Sequence, residues 1–134
     1  MKRFSEYFKS NGHRILECHP IIVYIASGLT IWGISNNIPI LFTDSVSSIA
    51  EDKVLNRVSS THRDGRALDV STKGWTQDYI DAAIKFLNDG YSHFAAIGSD
   101  GEQRLVVYHN SGNGFHLHIQ INKQFTLPPI DFNS

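Results

Sequence analysis

Residues Phe115 to Ile121 read F-H-L-H-I-Q-I, a strict alternation of apolar and polar side chains. Successive side chains of a β-strand point to opposite faces. This segment therefore fits a half-buried strand, with Phe115, Leu117, Ile119 and Ile121 on the core side. His116, His118 and Gln120 share the other side. Arg66 to Ser71 repeats the pattern on a smaller scale: Leu68 and Val70 point one way, Ala67 and Asp69 the other. Each of the two segments predicts a strand that buries aliphatic side chains and turns chemically active ones towards a cleft.

The rest of the chain limits what that cleft can serve. A length of 134 residues suits one domain with one core, taken here as 1–134. Its 41% hydrophobic and 19% charged residues are ordinary for a soluble globular protein. Net charge is -1 with the histidines neutral, without the basic excess of a nucleic-acid binder. Cys18 is the single cysteine, so no internal disulfide can form. The one membrane-like run, Pro20 to Ile34, is short for a span and contains Ser27, Gly28 and Thr30. It starts late for a signal peptide, after Glu6 and Glu17, and no clear small-residue cleavage site follows. The expectation is a chain made in the cytoplasm without a recognisable signal peptide and without stable membrane insertion, with a monomer as the default.

Taken in order, Phe4, Tyr7 and Phe8 at helical spacing predict a short helix over Lys2 to Lys9, stopped at Asn11-Gly12. Pro20 can open a buried helix that ends near Gly33 to Asn37, because the run is long for a strand despite its β-branched residues. Ile38 to Phe42 predicts a short strand, and Val46 to Val54 a weak helical turn or two. Thr76 to Asn88 is the clearest helix, with Thr76 as cap, Asp78 in the first turn and Gly90 as stop. Trp75, Tyr79, Ala83, Phe86 and Leu87 form its apolar stripe. Three strands follow, His93 to Ile97, Gln103 to His109 and Phe115 to Ile121, whose turns suggest an antiparallel meander. The tail from Phe125, with Pro128-Pro129, reads as extended.

The chemistry gathers around Ser60 to Asp69, which reads S-x-H-x-x-G-x-A-x-D. Gly65 allows a tight turn behind His62, and the small Ala67 leaves room beside Asp69. Zinc takes imidazole nitrogen and carboxylate oxygen, and its catalytic sites use three protein ligands with an open fourth position. His62, Asp69 and His118 are the candidate ligands, although this donor set also suits other divalent ions. Zinc so held lowers the pKa of water to about 7 and polarises a carbonyl. His116 is the candidate general base or oxyanion stabiliser, since it lies two positions before His118 on the same face. Arg57, Arg63 and Arg66 are candidates for holding a substrate carboxylate, and Ser60 for a hydrogen bond within the loop or to substrate. Asp64, Asp100 and Glu102 are further acid/base candidates; His13, His19, His93 and His109 read as ordinary core or surface histidines.

The S-x-H-x-x-G-x-A-x-D stretch followed by H-x-H resembles the zinc D-alanyl-D-alanine carboxypeptidase family, related to phage L-alanyl-D-glutamate endolysins, lysostaphin-type peptidases and the hedgehog domain. The resemblance spans roughly residues 15–122. It implies an α+β fold, a small antiparallel sheet with helices packed on one side. It also implies zinc on His62, Asp69 and His118, with His116 as the non-ligand histidine of the pair. Members mostly cut peptidoglycan stem peptides at bonds involving D-amino acids. The chain departs from the family twice. Phe115 stands where many members place an acidic catalytic base, and Phe42 to Val46 lacks the arginine that many use for a substrate carboxylate. The second departure favours an endopeptidase over release of a free C-terminal D-alanine. The expected activity is therefore zinc-dependent hydrolysis of stem peptides, as a phage endolysin released by a holin. The alternatives are a bacterial cell-wall carboxypeptidase or endopeptidase and a non-catalytic zinc-containing binding module.

Overall fold

Strand β7, Phe115–Gln120, keeps the expected alternation over most of its length: Leu117 and Ile119 are fully buried, and Ile121 beyond its end is buried too, but Phe115, expected on the core side, is 56% exposed, because it opens the strand opposite Asn110 and packs beside Tyr108 instead of under the helices. The computed structural model in which it lies describes residues 8–9, 15, 18–44, 62, 65–97, 100–110 and 114–125. Along these run β1 (Phe8–Lys9), helix α1 (Pro20–Ser35), β2 (Ile40–Asp44), β3 (Ala67–Ser71), helix α2 (Gln77–Tyr91), β4 (Ala96–Ile97), β5 (Gln103–Arg104), β6 (Val106–Asn110) and β7. The main sheet has the order β1-β2-β3-β7-β6, and β4 pairs with β5 as a separate two-stranded ribbon. All neighbours are antiparallel except β1 and β2, which run parallel at the edge. The class is α+β, with a small, largely antiparallel sheet.

One face of this sheet is the core. Ile40 and Phe42 of β2, Leu68 and Val70 of β3, and Leu117 and Ile119 of β7 are all fully buried. Register lines them up: Phe42 opposes Val70, Val70 opposes Leu117, and Leu68 opposes Ile119. The two helices close the same cluster, α1 with Ile22, Ile25 and Leu29, α2 with Ile80, Ala83 and Leu87. Each fully buried aliphatic side chain contributes roughly 1.5–3 kcal/mol, so this face carries most of the stability.

Helix α1 begins at Pro20, as expected, with the His19 ring accepting a hydrogen bond from the Ile21 amide. It ends in a complete left-handed cap. Asn37 sits at φ 57°, Ile38 N–H donates to the Gly33 carbonyl at 2.7 Å, and Asn37 N–H donates to Ile34. A side chain at Gly33 would collide with that returning backbone. No helix among the described residues is long and apolar enough to cross a membrane.

Several local expectations are corrected. Phe8 and Lys9 form a strand beside Ile40 and Leu41 instead of ending a helix. A helix that short is marginal on its own, and the open edge of β2 supplies hydrogen bonds that it lacks. The rest of Lys2 to Lys9, and Val46 to Val54, lie outside the described residues.

Helix α2 starts on Thr76, whose hydroxyl accepts from the Tyr79 amide. It runs through Gly90 to Tyr91 instead of stopping. Tyr91 is buried against α1, edge-on to Tyr24 and over Gly28, and this contact offsets the cost of the glycine. The buried stripe is Ile80, Ala83, Leu87 and Tyr91, while Tyr79 is 43% exposed. Trp75 and Phe86 pack beside Trp32.

The meander is interrupted as well. Ser92–Phe94 is a 3-10 turn, so of the first segment Ala95 makes a single bridge to Ile121 and Ala96–Ile97 pairs with β5. Leu105 turns into the core and separates β5 from β6. Of the tail, Lys123–Phe125 forms a 3-10 turn that sets Phe125 against His19 and Phe94; the residues beyond lie outside those described.

Candidate metal centre

The opposite face of β3 and β7 is where the polar residues meet. Asp69 is directly opposite His118, and Ser71 opposite His116. His62 joins them from ahead of β3. Gly65, at φ 71°, donates its N–H to the His62 carbonyl at 3.0 Å and accepts from the His19 amide at 2.8 Å. The turn that presents His62 is thus tied to the start of α1, and glycine meets its positive φ at little cost. At the other end, the Thr72 hydroxyl donates to the Phe115 carbonyl at 2.9 Å, securing the backbone next to His116.

Asp69 is the centre of the group. Its Oδ1 lies 2.8 Å from His118 Nδ1, and its Oδ2 lies 3.4 Å from His62 Nε2 and 3.8 Å from His116 Nε2. Burial pushes the Asp69 carboxyl up. Hydrogen bonds from His118 and His62, with the charge of both, outweigh this and hold it well below the usual carboxylate range. His62 is 5% exposed and His116 8%, so the cluster is drawn well out of water.

His62, Asp69 and His118 each offer a ligand atom, all within 4.8 Å of one another. Ligands bound tetrahedrally at ~2.0–2.1 Å stand about 3.3 Å apart, so small side-chain shifts would bring these atoms onto one ion. The hydrogen bonding of His118 fits a cation as well. Its Nδ1 faces Asp69 Oδ1, and its Nε2 faces Gln120 Oε1 at 3.1 Å. A neutral imidazole has one N–H, so it can donate to only one of these oxygens. A metal ion at Nδ1, an imidazolium, or a Gln120 amide turned to donate its N–H to Nε2 satisfies both sides. The donor set of two imidazoles and a carboxylate therefore could hold a metal ion.

The other candidates divide. His116 is beside the group, its Nδ1 in a long contact of 3.4 Å with the Gly114 carbonyl and its Nε2 towards Asp69. Arg66 is committed in part to structure, donating to the Ile121 carbonyl at 3.1 Å. Asp100 pairs with Arg104 in the exposed turn between β4 and β5, where Glu102 is exposed too. Phe115, in the place of the expected acid, is 56% exposed and packs its ring near Tyr108. Arg57, Ser60, Arg63 and Asp64 lie outside the described residues.

Two further residues stand here: His109, expected from sequence to be an ordinary core or surface histidine, and Gln120, expected on the histidine face but not among the site residues. His109 on β6 opposes His116, and their rings are 4.5 Å apart, with the His118 ring at 5.7 Å. Burial holds its pKa below the ordinary value, as do His116 and His118, against the pull of Asp69. Gln120 is the second. It ends the alternating run that includes both histidines, and that alternation is the signal that marks it. His109 had no such signal, because the β6–β7 register brings it in.

Compared with family models, with curated proteins and with solved structures, the chain matches none.

Proposed function

We propose that this protein is a zinc-dependent peptidase that hydrolyses peptidoglycan stem peptides, built on a fold of the hedgehog and D-alanyl-D-alanine peptidase type. The observation that carries the reading is the His62, Asp69, His118 group on the face of the sheet away from the core. Its residues stand in the order and spacing of S-x-H-x-x-G-x-A-x-D and H-x-H. The α+β class and the largely antiparallel sheet support it.

His62, Asp69 and His118 would hold the ion. Zinc in that position supplies Lewis acidity towards a peptide carbonyl and makes hydroxide available near neutral pH. The chain's own residues perform the remaining work. With its Nδ1 towards the Gly114 carbonyl, His116 turns Nε2 to the cluster, where it can accept a proton or donate to a developing oxyanion. With Phe115 in the place of the family's acid, that proton-transfer role falls to His116. Arg57, Arg63 and Ser60 are proposed to hold the substrate, and their roles rest on sequence position. The most economical setting is a phage endolysin that reaches the wall through a holin.

The test is release of new amino termini from purified peptidoglycan, with zinc and after chelation, the fragments identified by mass. Zinc-dependent release is expected, at an internal stem-peptide bond. Loss of a terminal D-alanine alone would reassign the chain as a cell-wall carboxypeptidase. A protein with one zinc per chain and no release would be a binding module with a structural ion.

A further inference from the structure

His118 is held from both ends of its ring. Asp69 Oδ1 stands 2.8 Å from Nδ1, and Gln120 Oε1 stands 3.1 Å from Nε2. Gln120 lies two residues on in the same strand, on the same face, and is half-buried. Its backbone is held as well, its N–H donating to the Leu105 carbonyl at 2.8 Å. The amide is therefore placed by the strand and does not reach in from a loose loop.

From this arrangement we infer that Gln120 is the positioning residue of the metal centre: its side-chain oxygen accepts the Nε2 proton of His118 and so directs Nδ1 to the ion. This rests on the metal-site reading above and deepens it. An imidazole binds metal through one nitrogen and carries its proton on the other, so a fixed acceptor at Nε2 selects the tautomer. Such an acceptor also stops ring rotation about χ2, which would carry Nδ1 away from Asp69. Partners of this kind, removed one at a time, typically cost 10–100-fold in metal affinity. The strand alternation explains the choice of residue. Position 120 is the next on the site face after His118, and a glutamine there reaches back along the strand without bringing a second charge beside Asp69.

The test measures zinc affinity of the full-length chain by competition with a chromophoric chelator, and the visible absorption of the cobalt form. Gln120→Leu removes the acceptor; Gln120→Glu keeps it and cannot turn an N–H to the ring. Wild type is expected to hold one zinc per chain. Q120L should weaken binding 10–100-fold and shift the cobalt bands. Q120E should bind at least as tightly as wild type, because a carboxylate acceptor raises the basicity of the ligand. If Q120L does not fold, Q120E decides alone, and weaker binding than wild type overturns the inference. So does a folded Q120L with wild-type affinity, or a Q120E as weak as Q120L, which would reduce position 120 to packing. A wild-type chain that takes up no zinc overturns the metal reading and this inference together. Gln120-dependent zinc binding without hydrolysis leaves the inference standing and sinks only the peptidase.

Discussion

On one face of β3 and β7, Leu68, Val70, Leu117 and Ile119 are sealed from water; on the other, Asp69 stands among His62, His116 and His118. The same residue pairs in the ladder set both faces. Val70 meets Leu117 and Leu68 meets Ile119, and by the same register Asp69 meets His118 and Ser71 meets His116. A one-residue slip would exchange the faces and put imidazoles in the core. The apolar face therefore does more than supply stability: it is the device that holds the polar face in register. Burying a carboxylate among imidazoles is costly unless each is paired, and the aliphatic face offsets that cost.

The sharpest way to separate the faces is to damage the core and watch the site. Leu117→Ala should destabilise the protein by about 2–5 kcal/mol, read as a lower denaturant midpoint. Below the new midpoint, zinc binding should persist, because the ladder between Asp69 and His118 is intact. The converse experiment removes a polar residue. His116→Ala should leave folding and zinc binding in place and lower hydrolysis by at least ~100-fold, the loss of a general base or oxyanion donor. Unchanged hydrolysis would remove His116 from the mechanism.

A subtler comparison uses pH on the metal-free protein. The Asp69 carboxyl lies below its unfolded value when folded, so it binds a proton less readily in the native state. Its contribution is then fully present above the unfolded pKa of about 3.9 and is lost as pH falls below that towards the folded value. The melting temperatures of wild type and Asp69→Asn should differ near neutral pH and converge under acid. A gap constant down to acid pH would mean that Asp69 acts through shape and not through charge. The smallest effect belongs to neither face. Thr76→Ala removes the cap of α2 and should cost about 1 kcal/mol, with zinc affinity unchanged; a change in affinity would show that α2 is coupled to the site.

Strands β3 and β7 and the groups they turn away from the core were legible because a period of two needs no partner to be read. Helix α1 was legible from Pro20 and from length, and the start of α2 from Thr76. Signals weaker than the tertiary contacts misled. Three aromatics at helical spacing did not keep Phe8 out of the sheet edge, and Gly90 did not stop a helix that Tyr91 anchors. The membership of His109 could not be read from local pattern, since it depends on the β6–β7 register; Gln120 was placed beside His118 by the alternation, but its hydrogen bond to the ring was not.

By itself, then, the sequence determined the two alternating strands, the glycine turn behind His62, and within each strand the separation of Asp69 from Leu68 and Val70 and of His116, His118 and Gln120 from Leu117 and Ile119, all consequences of local geometry. Only the tertiary structure decided that β7 would lie between β3 and β6. That position sets Asp69 against His118 and His109 against His116. The reason is that strand order and register minimise exposed apolar area over the whole sheet, a quantity that no single segment contains.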